Sequence, residues 1–169
     1  MPLTSQLAVS ASGTLTAALD LGTGSAAQNL SRSMSLANGT TAGKADRLFS
    51  DRRTLAASGT EDLDLAGTLL DAFGVAITFV RVKGLIIAAA AANTNNVVVG
   101  AAASNPWATL LSATGTVTLR PGAFLAVGTG TADATGYAVT ATTADLLKIA
   151  NSGAGTSVTY DIHIIGASA

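Results

Sequence analysis

The chain has 169 residues, of which 49% are hydrophobic, 11% charged and none cysteine, and its formal net charge is −1. That length fits one domain, or one domain with an arm. The near-neutral charge argues against a general nucleic-acid binder, which needs a basic field, and without cysteine there is no disulfide framework, thiolate-held zinc or thiol nucleophile.

Aromatic residues make up 4% of the chain, and much of the hydrophobic share is alanine, which buries little area. A core this poor in large side chains gains from subunit interfaces. The charged fraction is far below the roughly 25% of an average soluble domain, as expected where another subunit covers part of the surface.

The opening MPLTSQLAVSASG lacks the basic region and sustained apolar run of a signal peptide. Val75–Ala92 is the most apolar window, but Arg81 and Lys83 interrupt it, so it reads as two buried strands and not a membrane span. A soluble, non-secreted protein with no membrane partner is expected.

In chain order, residues 1–20 alternate weakly through Leu3, Leu7, Val9, Leu15, Ala17 and Leu19, predicting one or two strands or an extended arm. Residues 22–60 are rich in Gly, Ser, Thr and Ala and hold five of the nine basic residues: Arg32, Lys44, Arg47, Arg52 and Arg53. Within them, Ser25–Leu36 fits a short helix through Ala26, Leu30 and Met34, or a strand with Leu30, Arg32, Met34 and Leu36 on one face; the strand is preferred. Asn38–Lys44 reads as a loop. Asp46–Ala57 reads as an ordered crossing segment anchored by Leu48, Phe49 and Leu55.

From Thr60 the period is two. Leu63 and Leu65 oppose Asp62 and Asp64, and Val75, Ile77 and Phe79 share a face up to a break at Gly84. Asn93–Asn96 is a turn cluster, since Asn bonds its own backbone and tolerates positive φ. Ala108–Leu111 and Thr116–Arg120 read as strand, and Pro121-Gly122 as a type II turn. Tyr137–Thr142 alternates, and Ala144–Ala150 reads as another strand or a short helical turn. The last strand turns Val158, Tyr160, Ile162 and Ile164 inward. About eight to ten short strands at such spacing, with no alternating helices, predict an all-β antiparallel sandwich, jelly-roll-like, with an extended N-terminal arm. The expected division is 1–59, arm and basic strand/loop segment, and 60–169, sandwich core.

Motifs that carry chemistry lack their settings. Gly22-Thr23-Gly24-Ser25-Ala26-Ala27 fits G-x-G-x-x-A without a βαβ unit, and reads as a Gly-rich turn. Glu61, Asp62 and Asp64 offer three carboxylates without a calcium-loop pattern, so Asp62 and Asp64 read as a solvated strand face. His163, the sole histidine, reads as a surface or subunit-interface residue. The sequons at Asn29 and Asn38 carry no weight without a signal peptide. No catalytic residue, cofactor or metal is expected, and the chain is expected not to be an enzyme. The candidate subunit or partner contacts are Arg32, Arg47, Arg52, Arg53, Trp107 and His163.

The runs Asp51–Gly67, Asp71–Gly74, Val82–Leu85, Asn93–Asn95 before Val97–Gly100, Leu119–Gly122 and Val158–Asp161 resemble small structural proteins of tailed bacteriophages, over residues 45–168. Such proteins resemble capsid decoration, or cement, proteins. The resemblance implies a β-sandwich homo-oligomer, a trimer, on the virion's capsid surface. It would be made in the host cytoplasm, have the major capsid protein as its partner, and stabilise the head by bridging capsid subunits. The alternative is a tail-fibre or baseplate module stacking host glycan on Trp107 and Tyr137.

Overall fold

The computed structural model describes residues 2–67 and 69–169. The chain opens with two long strands, β1 (Ser5–Leu19) and β2 (Gly22–Asn38), joined through Asp20 and Leu21. A two-residue strand, β3 (Lys44–Ala45), runs parallel to the end of β2. Then come β4 (Arg47–Leu55), β5 (Thr60–Asp64) and the small pair β6 (Leu69–Leu70) and β7 (Ala76–Ile77). β8 (Arg81–Ala89) and β9 (Val97–Gly100) precede a single helical turn, α1 (Ala108–Leu111). The rest is β10 (Thr116–Leu119), β11 (Phe124–Gly128), β12 (Tyr137–Ala138), β13 (Leu146–Asn151) and β14 (Val158–Ala167).

The body is the expected all-β antiparallel sandwich. One layer is the sheet β10-β9-β13-β5; the other is β11-β8-β14-β4, with β12 beside β8. Alternation explains how the layers meet, because side chains two apart share a face. Val97, Val99, Leu119, Leu147 and Ile149 from the first sheet and Phe49, Leu85, Ile87, Val158, Ile162 and Ile164 from the second form one buried cluster. Large aliphatic side chains each contribute about 1.5–3 kcal/mol when fully buried, so strands make up for the scarcity of aromatics.

The type II turn forms as its chemistry dictates: the Ala123 N–H donates to the Arg120 carbonyl at 2.8 Å, with Gly122 at φ 77°. The Asn cluster does more than turn the chain. Asn93 Nδ2 donates to the Thr159 carbonyl and its Oδ1 accepts the Thr159 N–H, both at 2.8 Å.

Four sequence expectations are corrected. Ala108–Leu111 is a helical turn, because four residues are too few for periodicity to separate the two states. Gly84 does not end a strand; it lies inside β8, where its bare Cα makes room for Met34 and Leu7. Gly22–Ala27 is not a turn but the start of β2. The division at residue 59 falls within the sandwich, since β4 pairs with β14 from Leu55↔Val158 to Arg47↔Gly166. What stands apart is the β1–β2 hairpin.

Candidate functional site

The hairpin is an arm. At about 3.4 Å per residue, its fifteen paired positions extend about 50 Å. Directly paired residues share a face, so the register sorts the side chains. Leu7↔Met34, Val9↔Arg32, Ala11↔Leu30 and Leu15↔Ala26 lie on one face, which Ala17 and Leu19 complete. Ser10↔Ser31, Ser12↔Asn29 and Thr16↔Ser25 lie on the other. The arm is thus an amphipathic ribbon, mainly apolar on one side, where Arg32 and Gln28 (opposite Gly13) are the polar interruptions, and hydroxyl-rich on the other. Between Ser5 and Asn38 it has two charges, Asp20 at the tip and Arg32 near the root.

The root is held firmly. Leu7, Met34 and Leu36 pack with Ala45 and Ile165, and Leu3, Leu48 and Ile86 border the cluster. The arm lands on the outer face of the five-stranded sheet because Gly84 and Gly128 bring backbone, not side chain, to meet it: a Cβ on Gly84 would lie 2.7 Å from Met34 Cε, and one on Gly128 3.2 Å from Leu7 Cδ2. The chain's return into the body is clamped by Lys83. Its buried amine donates to the carbonyls of Thr41 at 2.6 Å and Lys44 at 2.7 Å. Burial, and then the Arg81 charge, push this amine below its ordinary pKa.

Beyond the root the face is bare. Leu15 is 73% and Leu30 59% exposed, and Leu21 at the tip is fully exposed. A groove of about 520 Å³ separates the arm from the body, with Leu7, Val9, Ala11 and Leu30 on one side and Ala126 and Thr131 on the other. A second groove, of about 600 Å³, lies beside Leu3, Leu48, Phe73, Val75 and Ile77. Phe73 and Val75 are exposed at its edge.

The basic candidates prove largely committed within their own chain. Arg52 forms a bidentate pair with Asp161 at 2.6 and 2.9 Å, because β4 and β14 set them opposite one another. Arg53 pairs with Asp51 at 3.1 Å and Glu61 at 2.6 Å and lies over the Phe49 ring. Arg47 bonds Asp46 at 3.1 Å, so these arginines are not a free patch awaiting acids from a neighbour. Arg32 bonds the carbonyl of adjacent Ser31 and has no acidic partner among the described residues.

Trp107 is corrected as a contact residue. It is 4% exposed, its Nε1 donates to the Ala138 carbonyl at 2.8 Å, and it meets Tyr137 edge to face. It is a core anchor and presents no stacking face. His163 is half-buried on the outer face of the five-stranded sheet, between Ser50 and Ile86, and burial lowers its pKa. Asp62 is exposed, as a solvated face requires, but Glu61 turns inward and accepts the Tyr160 hydroxyl at 2.7 Å. The Asp64 carboxylate caps the Ala66 N–H at 2.8 Å.

Among the described residues no three His, Asp or Glu side chains converge as metal ligands, and no helix is long and apolar enough to cross a membrane. The arm's face is faint in the sequence because its alternation is diluted by Ala and Gly; the absence of charge from Ser5 to Leu19 is the signal that marks it. Comparison with known protein families, with curated proteins and with solved structures found no match.

Proposed function

We propose that this chain is a virion structural protein, a capsid decoration protein that binds the assembled head of a tailed bacteriophage and stabilises it by bridging capsid subunits. The observation that carries the reading is the arm: about 50 Å of ribbon, locked at its root and bare beyond it. Two isolated strands are marginal in water, so a ribbon of this length is a grip that needs something to hold. The resemblance of residues 45–168 to phage structural proteins supplies the setting. In it the sandwich is a rigid platform, the oligomer a trimer and the major capsid protein the partner; the protein does no catalysis. β1 also offers a long free edge without charge or proline, suited to adding a strand to a neighbour's sheet. Burial of Trp107 weighs against the glycan-binding alternative, which would use its ring.

The experiment is addition of the purified protein to undecorated heads, followed by sedimentation and heat challenge. Wild type is expected to co-sediment and to raise the temperature at which the heads open. A variant lacking Ser10–Ser31, with Asn-Gly joining Val9 to Arg32 as a two-residue hairpin turn, is expected to do neither while its sandwich stays folded. Failure of wild type to bind would overturn the reading.

A further inference from the structure

We infer that two copies of this chain associate through their arms, apolar face on apolar face and antiparallel, so that the tip of each lies over the root of the other. The root half of this face is already buried, Leu7 and Met34 against the chain's own sheet. The rest continues the same surface, across an open groove from Ala126 and Thr131 at Val9, Ala11 and Leu30, and bare from Leu15 to the tip. Covering one such ribbon with another makes a small two-layer sandwich, the arrangement a lone hairpin lacks.

Direction follows from charge. The arm's two charges are opposite in sign and stand at opposite ends, Asp20 in the turn and Arg32 across from Val9. Antiparallel arms bring each Asp20 to the partner's root, where Arg32 has no acidic partner among the described residues of its own chain. Parallel arms would set Arg32 beside Arg32 and Asp20 beside Asp20, which is repulsive. Shape agrees. With Asp20 over the level of Ala8, one position from Val9 and Arg32, the two-fold axis falls at residue 14, so each Leu15 lies over the partner's Gly13. That position is open, with no atom within 4 Å of where a Cβ would stand.

The overlap is about 40 Å long and about 10 Å wide on each arm, smaller than a standard specific interface and in the range of weak, transient contacts. The contact is therefore weak in solution and gains from several arms acting together. If the bodies cluster in threes, contacts of this kind tie one cluster to the next. The inference is independent of the capsid reading: it is measured on the isolated protein, and neither result decides the other.

The test is sedimentation equilibrium on the full chain, with Trp107 emission verifying the sandwich in each variant. Wild type is expected to show association that the Ser10–Ser31 deletion removes. Leu15→Asp, at the centre of the overlap and outside the sandwich core, is expected to weaken it at least about tenfold. Arg32→Glu is expected to weaken it, and Asp20→Arg combined with Arg32→Glu to restore it. Association unchanged by the deletion or by Leu15→Asp would overturn the inference. So would a double exchange no better than Arg32→Glu alone, since a face that seats on the body or on another protein has no reason to be rescued by it.

Discussion

Tyr160, on β14, donates its hydroxyl to Glu61, on β5, at 2.7 Å, and so ties one sheet of the sandwich to the other through a polar contact inside the core. Arg53 reaches the second oxygen of the same carboxylate at 2.6 Å. Burial, and then the bond to Glu61, raise the phenol's pKa far above its ordinary value. Tyr160→Phe is expected to cost about 1–2 kcal/mol at neutral pH, because it leaves Glu61 with an unmet acceptor. The raised pKa adds stability that is complete below pH about 10, where the unfolded phenol ionises, and is lost as pH rises beyond it. Urea titrations of both proteins from pH 7 to 11 should therefore show wild type falling more steeply than Tyr160→Phe above pH about 10.

His163 gives the opposite edge of the pH range. Burial against β4 and β8 pulls its imidazole below the ordinary value of 6.5. The unfolded chain then takes up the proton first, so the contribution of the neutral ring is present above pH 6.5 and is lost as pH falls through the folded pKa. Thermal melts stepped from pH 7.5 to 5 should show a decline that His163→Gln lacks.

Strand alternation was legible wherever large residues carried it. Val158, Tyr160, Ile162 and Ile164 turn inward as their spacing predicts, and Pro121-Gly122 turns as its residues require. The arm was legible as extended chain but not as one hairpin. Its tip is Asp20-Leu21, which lacks the Asn-Gly or Asp-Gly signal of a tight turn. Partners far apart in sequence were beyond local pattern. Arg52 and Asp161 are separated by 109 positions, so nothing near Arg52 announces that its charge is already met. Proximity groups Glu61 with Asp62 and Asp64, yet strand parity puts it with Leu63, on the inward side. Trp107 follows a turn, and turns suggest exposure; Ala138 and Tyr137, thirty residues on, close over it.

Gly166 sits at the register shift between β14 and β8, where the chain has no room for a side chain. A Cβ there would meet the Arg81 carbonyl and lie 2.6 Å from the Phe79 ring. Neither can swing aside as the end of a flexible chain can, because one is backbone and the other is packed core. Gly166→Ala is expected to destabilise the sandwich by about 2–3 kcal/mol, at the upper end of overpacking costs, read as a fall in the urea midpoint with no change in slope.

The arm root predicts a separable response. Met34 and Leu7 fill the space over Gly84 on the outer side of the sheet, away from the inner layer of Leu85 and Ile87. Gly84→Leu would push both off the sheet and is expected to cost about 1–3 kcal/mol, with the root loosened more than the core. Limited trypsin digestion reads the difference, because Arg32 is the one Lys or Arg between Ser5 and Asn38. At low protein concentration, cleavage after Arg32 is expected to be faster in Gly84→Leu than in wild type. Raising the concentration should protect wild type as its arms pair. The Ser10–Ser31 deletion should melt within about 2 °C of wild type, since it removes no core residue and a 1 kcal/mol loss in a domain this size is worth about that much or more. A deletion that melts well below wild type would place part of the sandwich's stability in the arm, and the protease would then find its first cut in the body.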